Sequence, residues 1–86
     1  MQFEGAVIKE QGVTFAIVIV KPHVLNSSAE AQNARSSFSG IFPGVPIILM
    51  AQDSSGRATY QGRPDIVRFL THVSLSRIPW KKYTLN

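Results

Sequence analysis

The sequence contains no cysteine among its 86 residues. That absence removes disulfides as a reinforcement of the fold, and with them zinc–thiolate sites, iron–sulfur clusters and thiol catalysis. It also fits a reducing compartment, so a cytoplasmic location is the expectation. Charge is scarce as well, at 16% of residues against 44% apolar. The apolar share marks a globular chain rather than a disordered one. So little charge on so short a chain suggests that part of the surface is hidden against a partner. Long apolar runs are also missing. The longest, residues 13–20, falls far short of the about 20 needed to span a bilayer, and residues 1–10 lack the pattern of a signal peptide. No membrane is expected among the partners.

Recognisable catalytic motifs are absent too. There is no glycine-rich phosphate loop, no His-Glu-x-x-His, no paired-carboxylate signature and no serine flanked by glycines two residues either side. Two histidines and five acidic residues leave little from which to build a metal site. No cofactor and no catalytic residue is expected, and the chain reads as a binding protein ahead of an enzyme, with catalysis by His23 and Asp53 at the strand ends the last of the alternatives.

What is present is the pattern of one domain over residues 1–86. Residues 3–9 alternate as a strand, and Glu10, Gln11 and Gly12 supply a turn in which Gly12 is free to take a positive φ. Residues 13–20 are β-branched and apolar on both faces, the signature of a central strand covered on both sides. Pro22 ends that strand. Ser27 followed by Glu30 fits a capping box, which opens a helix over 28–39 with Ala31, Ala34, Phe38 and Ile41 as its apolar stripe. Gly40 stands where a helix-ending glycine belongs. A second apolar strand runs over 45–51. Asp53 and Gly56 then frame a type I turn that folds 57–61 back as an edge strand. Pro64 and Asp65 open a second helix, with Ile66, Phe69, Leu70 and Val73 on its core face and its end near Ser74.

The span between residues 20 and 45 is long enough for a crossover, so the two apolar strands should be parallel neighbours. The expected fold is a small α/β (α+β-like) domain of ββαββα order. Its four-stranded mixed sheet runs 1-2-3-4 with a central parallel pair, two helices and an extended C-terminal tail. In pattern alone, Pro46 to Val73 resembles the closing hairpin and helix of thioredoxin-like domains, without the cysteines that define their redox enzymes.

Three binding features follow. Ligands of open α/β sheets bind beyond the carboxyl ends of parallel strands. Lys21, His23, Gln52 and Asp53 should share that edge beside the helix start at Ser27, where a small anionic ligand is expected. Asp53 also serves as a turn residue, Ser27 as a cap, and Lys21 and His23 as solvated loop residues. The tail, with Arg77, Trp80, Lys81, Lys82 and Tyr83, interleaves rings and cations as single-strand nucleic-acid binders do. The net charge of +4 and the pI of about 10.0 suit such a partner, and they equally suit simple solubility. Packing of Trp80 and Tyr83 over the sheet is the favoured use of the tail, with Trp80 largely buried. Finally, two strands apolar on both faces need two covers. If both helices share one face, the other is bare, and a homodimer is its simplest cover.

Overall fold

A computed structural model of the chain describes residues 2–85. Strand β1, Gln2–Glu10, turns through Gln11 and Gly12 into β2, Val13–Ile19. A 3₁₀ turn over Pro22–Asn26 leads to α1, Ser28–Ser39, and then to β3, Ile47–Gln52. β4 spans Ala58–Gln61 and α2 spans Pro64–Leu70, and a second 3₁₀ turn, Leu75–Arg77, precedes β5, Lys81–Thr84.

The sheet order is β4-β3-β2-β1-β5. β2 and β3 are parallel, with Ala16 opposite Ile47 and Ile19 opposite Met50, and the other pairings are antiparallel. The expected 1-2-3-4 core is therefore present, but the sheet has five strands rather than four. The residues expected as an extended tail add the fifth. Lys81 to Thr84 alternate in side-chain character and pair with Gly5 to Gln2, which satisfies backbone groups that a loose tail would leave to water.

Alternation along the two central strands sends their side chains to opposite faces. Phe15, Ile17, Ile48 and Met50 meet Ile66 and Leu70 of α2, with Ile78 sealing the same layer. Ala16, Val18, Ile47 and Leu49 meet Ala31 and Phe38 of α1, together with Phe3. The helices thus lie on opposite faces, and each covers one side of the sheet.

Local chemistry explains the boundaries. Gln11 (φ 52°) and Gly12 (φ 80°) form a two-residue turn between the paired Glu10 and Val13. The Ser27 hydroxyl accepts from the Glu30 N–H at 3.3 Å, one half of the capping box, while the Glu30 carboxylate turns toward His23 instead of reaching back. Gly40 stays right-handed at φ −71°, because Ile41 and Phe42 both donate to the Phe38 carbonyl and continue the turn. α2 stops at Leu70, short of the expected Ser74. There the Thr71 hydroxyl donates to the Arg68 carbonyl at 2.7 Å, and His72 donates to Phe69 in a tightened last turn.

Candidate functional site

The parallel pair brings the carboxyl ends of β2 and β3 to one edge, tied by a 2.8 Å bond from the Val20 N–H to the Met50 carbonyl. The Pro22–Asn26 turn folds over that edge. Leu25, Asn26, Gln52 and Asp53 help to line a hollow of ≈190 Å³ there. The polar groups around it are committed locally. Asp53 Oδ1 accepts from the Ser55 hydroxyl at 2.6 Å and from the N–H groups of Ser55 and Arg57, both at 2.9 Å. The Ser55 hydroxyl, and after it the Arg57 N–H, hold the Asp53 carboxyl below the usual carboxylate range. Gln52 Nε2 donates to the Gly56 carbonyl at 3.1 Å, and Ser27 caps its helix. His23 lies 3.9 Å from Glu30 rather than beside Asp53, and Lys21 is exposed. Topology gathers these segments, but their side chains are not aimed at a common point.

The tail divides its residues between the two faces. Trp80 packs on the α2 side with only a minor part of its surface accessible, and its indole N–H donates to the Leu75 carbonyl at 3.1 Å. Tyr83 lies on the α1 side, stacked on Phe3 at 5.0 Å and edge-on to Phe42 at 5.3 Å. Lys81 Nζ lies 5.6 Å from the Tyr83 ring, whereas Lys82 and Arg77 are exposed. The two rings therefore cannot offer one continuous stacking surface.

A third location emerges only from the strand pairing. Hydrogen-bonded pairs alternate along an antiparallel ladder. The two-residue turn makes Glu10 and Val13 such a pair, and Ile8 with Phe15 and Ala6 with Ile17 follow in register. Val7 and Lys9 then turn their N–H and C=O groups away from β2. Gly5 and Phe3 do the same, and β5 meets them with Lys81 and Tyr83. Opposite Val7 and Lys9, among the described residues, there is no strand.

The chain cannot continue β5 past this point. Pro79 has no N–H to give, and the Trp80 N–H is taken by the Ile78 carbonyl at 2.8 Å. Beside the open edge, Val7, Ile8, Phe69, Val73 and Ile78 are among the lining of a hollow of ≈660 Å³. Glu10, His72 and Arg77 also line it, as does the strand at Lys9. Val7, 45% accessible, is the one large apolar side chain left exposed among the described residues. The sequence carried one signal for this site: a nine-residue strand matched by a tail with a proline just before its four-residue strand.

Among the described residues, no three histidine or carboxylate side chains gather closely enough to hold a metal ion. No helix there is long and apolar enough to cross a membrane. No family model, curated protein or solved structure matches the chain.

Proposed function

We propose that the chain is a binding module rather than an enzyme, and that it takes an extended peptide as an added strand on the open edge of β1. The observation that carries this reading is the outward set of N–H and C=O groups on Val7 and Lys9, next to an apolar hollow. Strand addition draws affinity from main-chain bonds and selectivity from pockets for alternate side chains. Every second side chain of the incoming strand would fall against Ile8, Phe69, Val73 and Ile78. By alternation the Lys9 side chain lies on the opposite face from Ile8, where the polar side chains of the incoming strand would fall, which favours a segment carrying Asp or Glu at those positions. A free edge is also an aggregation hazard, and Lys9 on it is the usual protection. A cytoplasmic setting belongs to the same proposal.

Amide hydrogen exchange tests it directly. In the free protein, Val7 and Lys9 should exchange much faster than Ala6 and Ile8, which face β2. A synthetic peptide alternating valine and glutamate should slow exchange at Val7 and Lys9 and shift the amides of Phe69 and Val73. Equal protection of all four β1 amides in the free protein would remove the open edge and the proposal with it.

The same edge would accept a second copy of the chain, which is the remaining route to a homodimer. Nucleic acid on the tail stands further back, because Trp80 and Tyr83 face opposite sides of the sheet and their rings are already engaged.

A further inference from the structure

At the end of the sheet away from the Asp53 turn, α1 faces the chain entering β3 and the chain leaving β4. A shallow, open hollow of ≈510 Å³ lies between them. Arg35, Ser36 and Ser39 line it from α1, and Val45 and Pro46 give it an apolar wall. Arg35 is half-buried, and its guanidinium donates to the side-chain oxygen of Gln61. No carboxylate lies within 4.0 Å of it among the described residues, whose ion pairs are His23 with Glu30 and Arg63 with Asp65. A guanidinium carries five donors, and a neutral amide oxygen takes up little of that capacity. Arg63 lines the same hollow, but Asp65 holds it through two bonds of 2.8 and 2.9 Å. The unneutralised cation is therefore Arg35, fixed in direction by Gln61 and flanked by two serine residues.

We infer that this hollow binds a small organic oxyanion, a phosphate or carboxylate head on an apolar body, with Arg35 as the anion ligand. A guanidinium matches such a head with parallel charge-assisted bonds, and the apolar wall receives the body. Gln61 is a positioning residue: its oxygen aims the guanidinium without neutralising it. The site is separate from the open edge of β1, so either proposal can fail alone.

NMR titration of the full chain with phenyl phosphate, benzoate and inorganic phosphate tests it. The amides of Arg35, Ser36, Ser39 and Gly62 should shift, and phenyl phosphate should bind more tightly than inorganic phosphate. Arg35→Gln should weaken binding by about 10-fold, as loss of a charge-assisted contact does. Arg35→Lys, which keeps the charge but not the fork, should recover part of that loss and shows that the hollow is intact. Shifts clustered at residues 21–28 or 77–83, or unchanged affinity in Arg35→Gln, would overturn the assignment. Equal affinity for phenyl phosphate and inorganic phosphate would overturn the apolar body.

Discussion

Tyr60 carries a hydroxyl into the layer under α2, where it finds no hydrogen-bond partner among the described residues. Burial alone pushes its pKa up. A buried group left unsatisfied costs about 1–3 kcal/mol, whereas the ring itself packs well. Tyr60→Phe should therefore raise stability by about 1 kcal/mol, read as a higher midpoint in urea at unchanged slope. A loss of stability would mean that the hydroxyl has a partner. Trp80 shows the opposite outcome, since its indole N–H reaches the Leu75 carbonyl and its ring can stay mostly buried without cost. At this scale, the residue types that suggest a site are held by their own neighbours. Asp53, Ser27 and Gln52 carry the chemistry of a site, but each closes a bond within four residues of itself. Val7 and Arg35, on which the two proposals rest, are ordinary as types, and they enter the proposals through what is missing opposite them.

Elements were legible wherever the pattern was local. The capped helix over 28–39, both hairpin turns and the parallel central pair all follow from spacing and turn chemistry. The alternation from Ile78 onward also suits an added strand, but the place of β5 was not legible, because its pairing partner is β1, and no local signal links residues so far apart in sequence. The β4 to α2 connection is a sharper case of backbone demand. Gly62 adopts φ +154°, and a Cβ there would lie 2.7 Å from Ile48 Cδ1 and 3.0 Å from the Ile47 carbonyl oxygen. Gly12 also has positive φ, but a Cβ would meet nothing within 4 Å. Gly12→Ala should thus cost only the left-handed penalty of about 1–2 kcal/mol. Gly62→Ala adds a steric clash to strain of about 1–3 kcal/mol and should cost more. Denaturant melts of the two variants decide this, and equal losses would show that Ile48 yields without cost.

At the scale of the whole molecule, the expected homodimer rested on a bare sheet face, and the opposite placement of α1 and α2 removes that reason. Which side of a sheet a helix takes depends on the path of its connections, and composition does not record that path. Light scattering should give a monomer mass for the free chain at high micromolar concentration. A dimer mass that Val7→Lys abolishes would reassign the open edge to self-pairing. The pairing of β1 with β5 has a mechanical side as well. Gln2 sits opposite Thr84, so the two ends of the described chain leave the fold side by side from one corner. A pull on both ends would load the β1–β5 ladder one rung at a time, like a zipper, rather than shearing all its bonds together. The fifth strand would peel away at low force while the four-stranded core stayed closed, lengthening the exposed edge of β1 from residues 7–10 to the whole strand.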